Sequence, residues 1–152
     1  MRMQSIEMKK ILLIIYILFQ INSLNASELT LINLQEIKLT TKGLSYILNA
    51  DKKIIDPKKL KKLNFFNRGK IISNAVYYLN GDLAKRNIKV SFQKAYFVDG
   101  NLYMQNCYSD YDGGYIKAKS AVYKKDYIEF KNLFMLHKNK KYKKFKYIVE
   151  TK

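Results

Sequence analysis

Residues 88–137 carry one unit written twice. Superposing 92–106 on 118–132, at a constant offset of 26 positions, sets Ala95 on Ala121, Leu102 on Ile128, Met104 on Phe130 and Asn106 on Asn132. An offset that keeps small on small, apolar on apolar and polar on polar marks a stacked supersecondary unit. A period this short holds two strands and a turn. Within it Val90 and Phe92 alternate with Ser91 and Gln93, Leu102 and Met104 with Tyr103 and Gln105, Ile116 and Ala118 with Lys117 and Lys119, and Ile128 and Phe130 with Glu129 and Lys131. Period two in segments rich in Tyr, Phe, Ile and Val predicts half-buried strands. Asp99-Gly100 and Asp112-Gly113-Gly114 tolerate positive φ and supply the turns between them. Residues 75–81 resemble 95–100 as a weaker third copy. The expected fold class is therefore all-β and antiparallel, built from stacked two-stranded repeats.

The 152 residues fit one domain behind a targeting segment. Lys and Arg number 29 against 12 Asp and Glu, a formal net charge of +17, a balance that first suggests phosphate-rich partners such as nucleic acid. The N-terminus redirects that expectation. Met8-Lys9-Lys10, the apolar run 11–19 and the polar stretch ending in Ala26 have the layout of a secretory signal. The run falls short of the roughly 20 residues that span a bilayer, although Ile21 and Leu24 extend it, so a cleaved signal peptide and an N-terminal membrane anchor both stay open over residues 1–26. Residues 27–152 then form a single periplasmic domain, still with 26 basic against 11 acidic side chains. An exported basic protein meets anionic head groups, phosphorylated glycolipids and acidic polymers more often than DNA.

Residues 28–39 predict an opening strand or two, 40–43 a turn and 43–48 a further strand. Over 51–63, Asp56 followed by Pro57 reads as an N-cap and first helical residue, and a solvated loop is the alternative. Either way the lysines between 52 and 62 stay in water. Arg68-Gly69-Lys70 predicts a turn, 71–79 a strand, and Asn80-Gly81 a hairpin. The lysine-rich run 138–144 predicts a hairpin loop before a terminal strand over 145–149.

No constellation of reactive groups emerges. Cys107 is the only cysteine, so no intrachain disulfide is available, and the pattern around it suits a small buried hydrophobe. Asp110, Asp112 and Gly113 invite a calcium loop that fails on spacing, because the glycine position falls on Tyr115 and the terminal glutamate position on Ala121. Phosphate loops, metal-ligand clusters and nucleophile elbows are absent from the sequence, and most acidic residues sit at turns where they bond backbone. The expectation is a non-enzyme that needs no cofactor and no metal. A greasy face within basic loops suits an amphiphile, whose chains replace water on the apolar wall while lysines meet its anionic head.

A degenerate form of the unit Ala-x-x-Tyr followed by Leu-x-Leu-x-Asn, seen as Ala95 to Asn106 and as Ala121 to Asn132 behind a signal or anchor, resembles the periplasmic lipopolysaccharide-transport proteins of the LptC and LptA (OstA-like) type, closest to the LptC branch. The resemblance covers roughly residues 71–149. It implies an antiparallel β-jellyroll open along one side, in which lipopolysaccharide slides with its acyl chains inside. It also implies partners: other Lpt-type β-jellyroll proteins docked through edge strands, and the inner-membrane ABC transporter. Alternation then nominates Val90, Phe92, Leu102, Met104, Ile116, Ala118, Ile128 and Phe130 as lipid-facing, with a plain core role as the alternative for each. Two other classes compete. One is an exported basic structural or adhesive protein binding acidic polymers; the other is a nucleic-acid binder stacking bases on Tyr96, Phe97 and Tyr103, which export to the periplasm disfavours.

Overall fold

The computed structural model describes residues 28–41 and 43–151. The expected signal peptide or anchor, residues 1–26, lies outside them. Eight strands follow in chain order: β1 (Leu29–Thr40), β2 (Gly43–Ile55), β3 (Val76–Ala84), β4 (Lys89–Val98), β5 (Asn101–Tyr111), β6 (Gly114–Lys124), β7 (Tyr127–His137) and β8 (Lys140–Glu150). Two short helices, α1 (Pro57–Leu60) and α2 (Arg68–Ala75), separate β2 from β3. Each strand pairs antiparallel with its chain neighbours, and β1 and β8 are the two edges. The fold is all-β, one open antiparallel sheet that does not close into a barrel. One repeat is one hairpin of this meander.

Three tight turns have both central residues at positive φ: Asp99-Gly100, Asp112-Gly113 and Lys138-Asn139. That geometry matches the right-handed twist of the flanking strands. The third turn corrects the expected loop over 138–144, since β8 begins at Lys140 and the lysines of the run are strand residues.

Four asparagines, Asn33, Asn80, Asn106 and Asn132, take φ values of 51°, 50°, 54° and 53° inside strands. Strand pairing is interrupted at the same level: Gln105↔Ser120 is followed by Cys107↔Ala118, Ser120↔Lys131 by Ala118↔Leu133, and Lys131↔Lys146 by Leu133↔Lys144. The interrupted positions form a row across the sheet, running from Asn33 through Asp51, Asn80, Gln93, Asn106, Lys119 and Asn132 to Phe145. Around it two successive residues are exposed, so the buried set changes parity, from Leu102 and Met104 to Cys107 and Ser109 in β5, and from Ile128 and Phe130 to Leu133 and Met135 in β7. A left-handed residue bends its strand locally, and one in every second strand, at one level, folds the sheet along the row.

The two halves meet face to face. Tyr46 of β2 lies 6.2 Å from Phe97 of β4 and 5.8 Å from Tyr123 of β6, and Tyr111 of β5 lies 5.9 Å from Tyr147 of β8, ring centroid to ring centroid. Neighbouring strands are about 4.8 Å apart, so a flat sheet would hold β2 and β6 too far apart for such contact. Lys85 Nζ donates to the Tyr123 hydroxyl (2.9 Å) and Asn87 Nδ2 to the Glu150 carbonyl (3.3 Å), stitching the halves together.

Three further expectations are corrected. Asn80-Gly81 is no hairpin: Gly81 pairs with Ala50 on one side and Phe92 on the other, in the middle of β3. Asn80 does take the positive φ its side chain tolerates, at the bend instead of at a turn. Its counterpart is therefore Asn106, 26 positions on, and the third repeat copy is in a different register from the 75-on-95 match. Residues 68–75, read as a turn running into a strand, form α2, so strand structure begins only at Val76. Helix α1 covers four residues of the 51–63 segment, capped by Asp56 as read, whereas Asp51 to Ile55 extend β2.

Candidate functional site

All eight residues nominated by alternation converge. Val90, Phe92, Leu102, Met104, Ile116, Ala118, Ile128 and Phe130 lie in one buried cluster between the two halves, none more than 5% exposed. They are packed against one another, joined by Leu48, Tyr78, Leu83, Ala95, Tyr123, Leu133 and Met135. An acyl chain reaches them only by parting the halves.

The margin of this interior is different. Leu34, Tyr46, Phe97, Tyr111 and Tyr147 are half-buried, packed on the core yet open to water. They form the partly accessible rim of the core, and alternation missed them. Tyr111 and Tyr147 follow the bend, where parity has changed, so extending the earlier phase turns them outward. Tyr46 belongs to β2, outside the clear repeat.

Polar groups sit at both flanks. Near β1, Glu36 accepts from Lys53 Nζ (2.6 Å) and from the Tyr78 hydroxyl (2.6 Å), and Lys53 Nζ lies 4.8 Å from the centre of the Tyr78 ring. Burial, reinforced by the Glu36 carboxylate, pushes the Tyr78 phenol well above its usual pKa. Near β8, Lys144 Nζ lies over the rings of Tyr142 and Tyr147 at 5.6 and 5.1 Å, and the hydroxyls of Tyr111 and Tyr147 are 3.3 Å apart. The Tyr147 hydrogen bond and partial burial push Tyr111 up to about 12. The β8 flank thus offers a cation, Lys144, beside apolar surface, the pairing an anionic amphiphile requires, whereas Lys53 at the β1 flank is already neutralised by Glu36.

Cys107 is a core residue whose thiol burial pushes up to about 12, which leaves almost no thiolate at neutral pH. His137 Nε2 contacts Asp112 Oδ2 (2.6 Å) beside a turn, and no hydrogen bond joins it to Cys107. Among the described residues no group of three or more His, Cys, Asp or Glu could hold a metal ion, and no helix is long and apolar enough to cross a membrane. Tyr96 and Tyr103 stack on each other at 5.6 Å, while Phe97 packs inward, so the three do not form one base-stacking platform.

The exterior carries two shallow depressions, of about 460 Å3 beside Lys85, Lys89 and Tyr108 and about 580 Å3 beside Lys119, Phe134, Lys143 and Phe145. Both edges show apolar residues to water: Ile32, Ile37 and Leu39 on β1, and Phe145 and Ile148 on β8. No family model and no curated protein matches the chain.

Proposed function

We propose that this chain is a non-enzymatic periplasmic carrier of the lipopolysaccharide-transport type, a β-jellyroll-like module that holds an acylated, phosphorylated lipid between the halves of its bent sheet and passes it to a neighbouring module. The observation that carries the reading is the half-buried margin of Leu34, Tyr46, Phe97, Tyr111 and Tyr147, continuous with the buried interior and flanked at β8 by Lys144. Acyl chains that enter there replace water on apolar surface, worth about 25 cal/mol per Å2 covered. The phosphates of the head group stay near Lys144 at the β8 flank.

The two edge strands of the sheet support the transfer step. Among the described residues β1 and β8 each have a strand neighbour on one side only, and such an edge is the template for adding a strand from another sheet. Head-to-tail pairing of β8 with the first strand of a similar module would run one interior into the next. The partners in this reading are lipopolysaccharide, other Lpt-type modules at the edges, and the inner-membrane ABC transporter as the source of the lipid.

A photoreactive amino acid in place of Phe97 or Tyr147, with the outward Ser91 as control, tests the proposal in cells that make lipopolysaccharide. The expected result is a lipopolysaccharide adduct at 97 and 147 and none at 91. Equal labelling at all three, or none at the margin, would overturn it.

A further inference from the structure

Residues 57–70, in the excursion between β2 and β3, hold six basic side chains and no acidic one. Arg68 pairs with Asp99 (3.1 Å), whereas Lys58, Lys59, Lys61, Lys62 and Lys70 are exposed and in no ion pair among the described residues. At the tip, Phe65 and Phe66 are 88% and 93% exposed, edge to face at 5.6 Å, with Leu63 exposed beside them. Two adjacent phenylalanines in water contribute nothing to the core.

The base of the excursion is firmly built. The Asp56 N–H donates to the Ala75 carbonyl (2.7 Å), closing the excursion where it leaves and rejoins the sheet. Asp56 Oδ1 accepts from the N–H groups of Lys58 and Lys59 at 3.0 and 3.2 Å, capping α1. Ala75, at the end of α2, is buried, and Ile71 and Ile72 are half-buried. The tip is thus held out from a fixed base.

We infer that this excursion is a membrane-docking finger, which lays Phe65 and Phe66 into the interface of an anionic bilayer while its lysines meet lipid phosphates. Charge complementarity is one argument: a polybasic segment is drawn to an anionic leaflet, and aromatic side chains settle at the boundary between head groups and acyl chains. A soluble acidic polymer would satisfy the lysines and leave both phenyl rings in water. The second argument is position. Leu29 pairs with Ile55, so the chain enters the sheet beside the base of the finger. Upstream of that entry the sequence holds the apolar run 11–19, which brings the same end of the domain to a bilayer if it serves as an anchor. The inference does not depend on what the interior carries.

The sequence contains no tryptophan, so a single introduced one reports cleanly. Phe65→Trp in the full chain is mixed with phosphatidylglycerol–phosphatidylcholine vesicles whose acyl chains are brominated, and Leu44→Trp, exposed at the opposite end of β2, serves as the control. The expected result is a blue shift and bromine quenching at 65 with anionic vesicles, neither with pure phosphatidylcholine, and neither at 44. Adding Lys61→Gln and Lys62→Gln should lower the docked-to-undocked ratio by roughly thirtyfold, at about fivefold per lysine. Absence of quenching at 65, equal quenching by neutral vesicles, or a blue shift produced by soluble polyphosphate as readily as by vesicles would overturn the inference.

Discussion

Asn132 occupies a backbone conformation, φ 53°, that costs an L-residue roughly 1–2 kcal/mol and that glycine accepts freely. Asparagine lies between, because its short amide can bond locally. At the equivalent position Asn106 Nδ2 donates across the row to Gln93 Oε1. Asn132→Ala should lower stability by about 1–2 kcal/mol in urea unfolding, whereas Asn132→Gly should stay within about 0.5 kcal/mol of the parent. An alanine variant as stable as the parent would show that the bend does not need the left-handed residue. The match of Asn106 with Asn132 was legible in the sequence as a repeat position. Its meaning was not, since asparagine is as common in turns as in bends and only the pairing partners on both sides distinguish them.

The bent strand is the working element, and Gly81 shows how tightly the bend is built. A Cβ on Gly81 would stand 1.9 Å from the Asn49 carbonyl oxygen, a backbone atom that cannot yield without breaking the β2–β3 pairing. Gly81→Ala should therefore yield little or no folded protein, read by soluble expression and far-ultraviolet circular dichroism. The β1 flank makes a different prediction. Because the Tyr78 phenol is raised above its unfolded value of about 10, the unfolded chain releases that proton first. The stability contributed by Tyr78 is then fully present below about pH 10 and lost as pH rises through the folded value. Tyr78→Phe should cost about 1–2 kcal/mol at neutral pH, through the lost bond to Glu36, and should flatten the alkaline fall in urea midpoint. An unchanged alkaline slope would place its cause elsewhere. Strand identity was legible wherever alternation ran unbroken, from Val90 to Phe92 or Leu102 to Met104. The buried face was not legible beyond each bend, where Leu133 and Met135 take over on the opposite parity, although Cys107 was read as buried and is. Strand identity also failed at α2, where the β-branched pair Ile71-Ile72 running into Val76 to Leu79 favours a strand.

For the whole molecule, one open sheet bent along a row of asparagines has an interior without being a barrel. That interior is closed by packing between the halves and by a few stitches, Lys85 to Tyr123 and Asn87 to Glu150 among them. Its halves are joined covalently by every strand at the bend and by much less at the flanks, so separation at the flanks is the motion the proposed carrier role requires. The all-β and antiparallel character followed from the repeat, whereas openness was expected only from the family resemblance. The fold line did not, because it is a property of eight strands in register. Methyl NMR during a titration with lipopolysaccharide tests the carrier reading most directly. Lipid held between the halves should give saturable shifts of the buried Met104, Met135, Ile116 and Ile128 methyls, with the exposed Ile37 and Ile148 methyls unmoved; shifts confined to Ile37 and Ile148, or no saturable shift in the interior, would contradict carriage.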